Sequence, residues 1–245
     1  MLPFERKEKI KEELLKGYIN INELAQLLKV SEITVRRDLK QLEKEGVIEV
    51  FHGGVAKLID TTRETSISKR QSIYSENKEQ IGIFAASLIE DGDVIFLDSG
   101  TTTKAIIPEL VKKKELMIVT NGYLNIEACI QHDLPVTVIG GDLKIETMAF
   151  VGPLTNKMLD SYHFDKCFLG ANGIDYEFGL SNADPNESMV KEKAIKQSVQ
   201  TYIVSDHSKF DAKSVFKFAE LDEVKIITDS CPERYRSCST ILLME

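Results

Sequence analysis

The chain has 245 residues, of which 42% are hydrophobic and 29% charged, and its net charge is −8. This length exceeds that of a DNA-binding module alone and suits a small domain joined to a larger one, with a sizeable core and little disorder. The first residues are charged, and no apolar run approaches the ~20 residues of a membrane span. We therefore expect a cytoplasmic protein.

The charge is unevenly distributed along the sequence. Residues 1–60 contain 11 Lys and Arg and 11 Asp and Glu, so the whole excess of negative charge lies in residues 61–245. Any DNA contact must then rest on a local cluster of basic side chains. The four cysteines form no C-x-x-C pair and the four histidines have no metal-ligand spacing, so we expect reduced thiols, no metal site and no cofactor.

Residues 3–44 predict three helices. The first, residues 3–16, is charged and amphipathic. The second begins at Asn20, with Glu23 three residues later as in a capping box, and a short turn leads to a third helix capped by Ser31. Two helices joined by so tight a turn are typical of a helix-turn-helix.

The third helix predicts a DNA-reading face. Val35, Leu39 and Leu42 make one apolar face, so the polar side remains free to enter a major groove. There an arginine can read a guanine edge and a lysine can meet a phosphate. An ordinary helical hairpin with a solvated basic face is the alternative. The residues predicted to project toward DNA are Thr34, Arg36, Arg37 and Lys40.

Beyond this helix, residues 47–58 alternate apolar and polar side chains around His52-Gly53-Gly54, which predicts a two-stranded wing. The whole run ELAQLLKVSEITVRRDLKQLEKEGVIEVFHGGV closely resembles the DeoR-type repressors. The resemblance implies that the wing at His52, Gly53 and Gly54 lies along the DNA backbone. Asp38 belongs to the family pattern, and we interpret it as a helix-stabilising or orienting residue. The helix residues that the resemblance places on DNA are Ser31, Thr34, Arg36 and Arg37.

Residues 59–77 are rich in Ser, Thr and charge, which predicts a linker between a winged helix-turn-helix domain of residues 1–58 and a second domain of residues 78–245. In the second domain short apolar strands alternate with helical patterns, which predicts an α/β fold with a mainly parallel sheet. Ligands bind beyond the carboxyl ends of such strands. Five polar or glycine-containing loops follow predicted strands: residues 98–102, 120–122, 140–142, 170–173 and 206–209.

The loop Asp98-Ser99-Gly100-Thr101-Thr102 is the most informative of the five. It follows a strand and opens a helix, so its amides and hydroxyls can surround an anion. This chemistry predicts a phosphate cradle, although a strand-to-helix turn also favours Ser, Thr and Gly for capping alone. Lys209, at another strand end, either contacts the phosphate or a sugar oxygen of the ligand or is a solvated surface lysine.

Asp184, Glu187 and Lys191 allow two interpretations. In the first, they make a capped helix with one surface ion pair of ~0.3–0.5 kcal/mol. In the second, they surround a polyol, and the carboxylates accept hydrogen bonds from its hydroxyls. We favour the polyol, because these residues accompany the polar loops.

The resemblance to the DeoR-type family continues through LDSGTTT, VTNG, GG, DKCFLGANGID, GLSNAD and SDHSKF. It implies a domain that is similar to sugar-phosphate isomerases such as ribose-5-phosphate isomerase. In the family this domain binds a phosphorylated sugar or nucleoside metabolite as inducer. With Ser99 of the same loop, the residues that it places in or near the effector pocket are Asp98, Gly100, Thr101, Thr102, Thr120, Asn121, Gly170, Asp184, Glu187, Lys191, Asp206 and Lys209.

We therefore expect a non-enzymatic repressor of a sugar-utilisation operon. Its partners would be double-stranded operator DNA, a phosphorylated sugar that modulates DNA binding, and further copies of itself as a dimer or tetramer. The alternative is a sugar-phosphate isomerase-like enzyme with an attached DNA-binding domain. In the resembled enzymes one strand-end loop reads Gly-Ala-Asp-Glu, whereas residues 170–173 read Gly-Ala-Asn-Gly, so the acidic pair is missing.

Overall fold

A computed structural model of the chain describes residues 2–17, 19–44, 48–51, 54–58 and 66–244. The chain divides into an N-terminal unit, Met1–Asp60, and a C-terminal unit, Thr61–Glu245. Among the described residues, no helix is both long and apolar enough to cross a membrane.

The N-terminal unit has three helices and a small antiparallel sheet in the order β1-β3-β2. The predicted capping box is present, because Asn20 Oδ1 accepts the Glu23 amide at 2.9 Å and Glu23 Oε2 accepts the Asn20 amide at 3.3 Å. Leu24, Val35 and Leu39 lie in the shared core. The elements are α1 (Pro3–Leu15), β1 (Ile19–Asn20), α2 (Ile21–Leu28), α3 (Glu32–Lys44), β2 (Ile48–Phe51) and β3 (Val55–Leu58).

The predicted wing is the β2–β3 hairpin. Gly54 precedes β3 with φ +75°, a backbone conformation that L side chains rarely adopt. A Cβ added to Gly54 would lie 2.7 Å from Ile21 Cδ1, and the Gly54 carbonyl accepts the Ile21 amide at 3.0 Å. The other two residues of the predicted tip, His52 and Gly53, lie outside the described residues.

The sequence predicts a linker over residues 59–77, but its described part is largely helical. Two helices, α4 (Ile67–Ser72) and α5 (Ser75–Ser87), begin within it. Ile67 is buried, and its amide donates to the Glu146 carbonyl at 2.9 Å. Residues 66–77 are therefore part of the C-terminal unit, because a polar composition does not prevent a segment from packing through one buried residue.

The C-terminal unit is built on a seven-stranded, wholly parallel sheet in the order β15-β14-β12-β9-β4-β5-β6. A hairpin, β7–β8, and a small antiparallel sheet, β10-β11-β13, flank it. After α5 the elements are β4 (Val94–Leu97), α6 (Thr101–Lys104), α7 (Ile107–Leu110), β5 (Met117–Thr120), α8 (Tyr123–Gln131), β6 (Val136–Val138), β7 (Asp142–Lys144), β8 (Ala149–Val151), α9 (Pro153–Leu159), β9 (Phe164–Leu169), β10 (Gly173–Asp175), β11 (Gly179–Asn182), α10 (Pro185–Lys196), β12 (Ser198–Val204), β13 (Phe216–Ala219), β14 (Lys225–Thr228) and β15 (Ile241–Leu243).

Both faces of the parallel sheet are covered. Along β4, Phe96 packs into one buried cluster with α9 and α10, while Ile95 and Leu97 pack into a second with α5, α7 and α8. Burial on both faces is typical of a parallel sheet. From β4 the chain proceeds outward to β5 and β6 on one side and to β9 and β12 on the other. The strand order thus reverses between β4 and β9, where ligands bind in such sheets.

Candidate functional site

The first candidate site is the exposed side of α3. The side chains of Arg36, Arg37 and Lys40 are exposed, on the opposite side of the helix from buried Val35 and Leu39. Within the described residues, Arg36 has one ion pair, a long and exposed one with Glu32 at 3.8 Å. The basic groups therefore remain available to a ligand, as a surface pair of this kind contributes little.

Ser31 and Thr34 form the start of α3. The Ser31 hydroxyl accepts the Thr34 amide at 3.3 Å and lies 3.0 Å from the Thr34 hydroxyl. This arrangement is the N-cap that the sequence predicts. The DNA contact that the resemblance implies for these two residues remains a prediction.

Asp38 anchors α3 to α1. Its carboxylate accepts the Arg6 Nε at 2.5 Å and Nη2 at 3.1 Å, and the two residues are only 3% and 5% exposed. This hydrogen bond raises the pKa of Arg6. A bidentate pair of this kind fixes an orientation as well as a distance, so Asp38 holds the basic face of α3 in place.

The second candidate site begins at the switch point between β4 and β9. Asp98, directly after β4, forms an ion pair with Lys191 of α10, and these residues are 2% and 3% exposed. Asp98 also accepts the Gly170 amide, after β9, at 3.2 Å. Three of the residues that the sequence assigns to an effector pocket thus meet in one cluster, in which Asp98 and Lys191 are buried and Gly170 is partly exposed.

Thr120 and Asn121, at the end of β5, have side chains engaged within the protein. The Thr120 hydroxyl donates to the Leu97 carbonyl at 2.6 Å and accepts the Gly122 amide at 3.0 Å. Asn121 Oδ1 accepts the Ser99 amide at 3.2 Å, and its Nδ2 donates to the Phe150 carbonyl at 3.0 Å. These residues hold neighbouring loops together, and their contact with an effector remains a prediction.

Glu187, one turn before Lys191 on α10, is the centre of a second buried cluster, which we call the Glu187 cluster. Its carboxylate accepts hydrogen bonds from the Thr147 hydroxyl at 2.7 Å, the Lys144 amine at 3.1 Å and the side-chain Nδ2 of Asn182 at 3.0 Å. Asp184 caps α10 by accepting the Glu187 amide at 3.0 Å and also lies 3.2 Å from Lys144 Nζ. The interpretation of Glu187 and Lys191 as one surface ion pair is therefore wrong, because both are buried and have different partners.

A third group surrounds Asp206, which follows β12. The Ser208 amide and hydroxyl donate to Asp206 at 3.1 and 2.5 Å. Nearby, Lys78 Nζ donates to two carbonyls, those of Arg70 and Ile73, at 2.6 Å each. Burial lowers the pKa of Lys78 to about 8; Asp206 opposes this shift, while the positive charges of Lys209 and Arg70 add to it.

The phosphate-cradle loop has the predicted local structure. Gly100 precedes α6, which begins at Thr101, and the Thr103 hydroxyl donates to the Asp98 carbonyl at 2.6 Å. Ser99, Gly100 and Thr101 are partly exposed, whereas Thr102 is buried. The loop therefore combines an internally braced backbone with side chains that solvent still reaches.

The sequence interpretation missed four residues of these clusters. Lys78 was detectable, since it shares a helix face with the apolar positions 81, 82 and 85 at i+3, i+4 and i+7. Lys144, Thr147 and Asn182 gave no such signal, because a hairpin and a short strand place them. Within the described residues, no group of three or more His, Cys, Asp or Glu side chains has a metal-binding arrangement.

Comparisons with known proteins cover both units. A family model described as the DeoR-like helix-turn-helix domain matches residues 6–62, and one described as the DeoR C terminal sensor domain matches residues 73–230. The chain is 40% identical to the HTH-type transcriptional regulator FruR of Bacillus subtilis, over 95% of this chain and 93% of that protein. It is 32% identical to the lactose phosphotransferase system repressor of Streptococcus mutans, over 93% and 94%, respectively.

Two solved structures are similar to this chain at low sequence identity. Ribose 5-phosphate isomerase A of Methanocaldococcus jannaschii is 17% identical, with a TM-score of 0.41 over 56% of this chain and 54% of that chain. The translation initiation factor eIF-2B of Pyrococcus horikoshii is 13% identical, with a TM-score of 0.49 over 90% and 81%.

Proposed function

Since this chain belongs to the DeoR family of transcriptional regulators, we propose that it represses a sugar-utilisation operon until a phosphorylated sugar binds its C-terminal unit. The operator would be read by α3, and the sugar would bind at the carboxyl edge of the parallel sheet. The observation that carries the proposal is the pair of buried charged clusters, around Asp98 and Glu187, beside the switch point of that sheet.

The DNA half of the proposal rests on the basic side of α3. Arg36, Arg37 and Lys40 are exposed, and the buried Arg6–Asp38 pair fixes the helix that presents them. Because a single helix offers few contacts, we propose that the chain binds as a homo-oligomer with two recognition helices on repeated half-sites. It would do so in the cytoplasm.

The effector half rests on complementary charge. Arg70 and Lys209 are close enough to Lys78 for their positive charges to lower its pKa, and this concentration of positive charge suits an anionic group. The carboxylate of Glu187 and the amine of Lys144 suit the hydroxyls of a sugar. A phosphorylated sugar carries both kinds of group.

We propose that this site binds its ligand without turnover. A general base must reach the proton beside the substrate carbonyl. Asp98 is paired with Lys191, and Glu187 accepts three hydrogen bonds, so these two buried carboxylates are already engaged. Asp206, also buried, accepts the amide and the hydroxyl of Ser208. The loop of residues 170–173 has no acidic side chain. If NMR detects isomerisation of a sugar phosphate by the protein, this part of the proposal is contradicted.

The DNA half is tested by selecting duplexes that bind the full chain from a random pool and measuring affinity by fluorescence anisotropy. Arg37→Ala is expected to weaken binding by ~1–3 kcal/mol. Arg37→Lys, which keeps the charge but loses the planar fork, separates base reading from charge attraction. The control is Lys196→Ala, which neutralises an exposed charge at the end of α10. Undiminished binding by Arg37→Ala would show that Arg37 does not contact the operator.

The effector half is tested by thermal unfolding of the full chain with fructose, tagatose and ribose and with their phosphates. A ligand at 100 times its Kd stabilises the protein by ~2.7 kcal/mol. We expect stabilisation by a phosphate but not by its free sugar, and its loss in Lys209→Ala and Thr101→Ala but not in Lys196→Ala. If free and phosphorylated sugars stabilise the protein equally, the phosphate site is refuted.

A further inference from the structure

Ile33, the second residue of α3, is 80% exposed, more than any other large hydrophobic side chain in the described part of the chain. It does not contribute to the core, which α3 contacts through Val35, Leu39 and Leu42. Folding of the N-terminal unit therefore gives no reason for an isoleucine at this position.

Ile33 shares a helix face with the basic residues. Arg36, Arg37 and Lys40 follow it at i+3, i+4 and i+7, which places all four side chains along one stripe of α3. The stripe thus has an apolar end, at the start of the helix, and a basic remainder. In helix-turn-helix proteins, the first residues of the recognition helix are those that reach base edges.

We propose that Ile33 contacts the 5-methyl group of a thymine in the major groove and thereby specifies a T·A pair in each half-site. That methyl is the apolar group that base pairs display in this groove. The contact removes apolar surface of both partners from water, while Arg36 and Arg37 supply the neighbouring polar contacts. The inference rests on the proposed use of α3 to bind the operator.

The test replaces each thymine of a selected operator by deoxyuridine, which deletes only the methyl group. The full chain is expected to bind about fourfold more weakly for each methyl that it contacts, which corresponds to ~0.8 kcal/mol per methyl-sized group. Ile33→Ala should bind the thymine operator more weakly and lose its sensitivity at that same position. Ile130→Ala, which shortens another exposed isoleucine, on α8, is the control.

Two results would overturn the inference, and they are distinguishable. If Ile33→Ala and the parent chain respond alike to every deoxyuridine while Arg37→Ala binds weakly, the methyl contact alone is refuted. If Ile33→Ala and Arg37→Ala both bind as the parent chain does, the proposed DNA surface is refuted as well.

A separate observation concerns the turn of the β7–β8 hairpin, residues 145–148, which we call the hairpin tip. On one side the Thr147 hydroxyl donates to Glu187 at 2.7 Å, and Lys144, just before the tip, also contacts Glu187. On the other side the carbonyl of Glu146 accepts the amide of Ile67 at 2.9 Å. The tip is thus bonded both to the Glu187 cluster and to the start of α4.

Among the described residues, α4 is the first helix of the C-terminal unit. Ile67 is buried, so its position is tied to its surroundings and not only to one hydrogen bond. A displacement of the hairpin tip would therefore shift the start of α4. Thr147 and Lys144 both donate to Oε1 of Glu187, so a ligand hydroxyl that takes this oxygen competes with Thr147.

We infer that the hairpin tip transmits effector binding from Glu187 to the start of α4. The inference rests on the proposed effector function. A sugar hydroxyl that donates a hydrogen bond to Glu187 replaces the Thr147 hydroxyl. The tip then shifts, and the hydrogen bond from the Ile67 amide to the Glu146 carbonyl weakens. The sugar then changes the population of DNA-competent arrangements because it binds the two positions of the tip differently.

Thr147→Val tests this inference, since it removes the hydroxyl and nearly preserves the volume. Hydrogen exchange at the Ile67 amide and operator affinity are measured in the full chain, with and without the fructose, tagatose and ribose phosphates. In the parent chain the binding phosphate should accelerate Ile67 exchange and weaken operator binding about 5–150-fold. In Thr147→Val exchange should be fast without any ligand, and the ligand effect on the operator should fall at least fivefold.

Thr137→Val, on the edge strand β6, is the matched control and should behave as the parent chain does. An unchanged ligand effect in Thr147→Val, with unchanged Ile67 exchange, would overturn the inference and leave the effector proposal standing. If none of these phosphates alters operator affinity in the parent chain, the effector proposal itself is contradicted and the inference falls with it.

Discussion

Replacing Arg6 by Met while Asp38 remains tests whether the buried ion pair holds the N-terminal unit together. The substitution leaves a carboxylate that is 3% exposed without its bidentate partner. Removal of one member of a buried pair costs ~3–5 kcal/mol. A 60-residue unit has an unfolding free energy of ~3–9 kcal/mol at ~0.05–0.15 kcal/mol per residue. Arg6→Met should therefore remove a large part of its stability.

Hydrogen exchange of the full chain measures this loss unit by unit. A loss of ~3 kcal/mol lowers amide protection in α2 and α3 about 100-fold, while protection in the C-terminal sheet stays unchanged. Lys11→Met, which removes an exposed pair with Glu8 on the same helix, should change protection less than tenfold. Arg6→Met combined with Asp38→Leu should recover most of the stability, because an apolar pair avoids the desolvation of two charges. If Arg6→Met loses no more protection than Lys11→Met, the pair is not structural.

Three further predictions concern single residues. Effector affinity should fall as the pH rises through about 8, because Lys78 loses its charge there. Lys78→Arg should remove this fall in an isothermal titration series. A parallel fall in both proteins would show that Lys78 is not the group responsible for the pH dependence. Thr120→Val should destabilise the C-terminal unit by ~1–3 kcal/mol in thermal unfolding, since buried donors lose their acceptor; loss of effector binding with unchanged stability would instead make Thr120 a ligand contact. Gly54→Ala should destabilise the N-terminal unit by ~1–2 kcal/mol, because φ is +75° there; unchanged exchange in β2 and β3 would contradict this.

Local signals in the sequence predict the helices and the central strands. The capping box at Asn20 and the apolar faces of α2 and α3 are set by residues three to seven positions apart, so they can be recognised in the sequence itself. The strands of the parallel sheet are short apolar runs, each followed by a polar loop. Their alternation with helices fixes the fold class before any contact is known.

The small antiparallel elements of the C-terminal unit could not be predicted in this way. Strands β10 and β11 are buried along their whole length, and β11 pairs with β13, more than 30 residues away. Their stability comes from tertiary packing, which overrides local propensity. The helical structure of residues 67–77 was missed for the same reason, since a polar composition does not reveal that Ile67 is buried.

The candidate effector site was only partly predictable, because its charges are partnered across the fold. Glu187 and Lys191 share one face of α10, as their spacing requires, but Thr147 and Asp98 reach them from elements 40 and 93 residues away. Apolar residues of similar volume would often give equal or greater stability than such buried charges. Folding alone therefore does not explain two adjacent charged clusters at the switch point of the sheet. The proposed effector would use a carboxylate and an amine there, and this use would account for the two clusters. The partners Thr147 and Asp98 come from distant parts of the chain, which is why the sequence does not reveal these contacts.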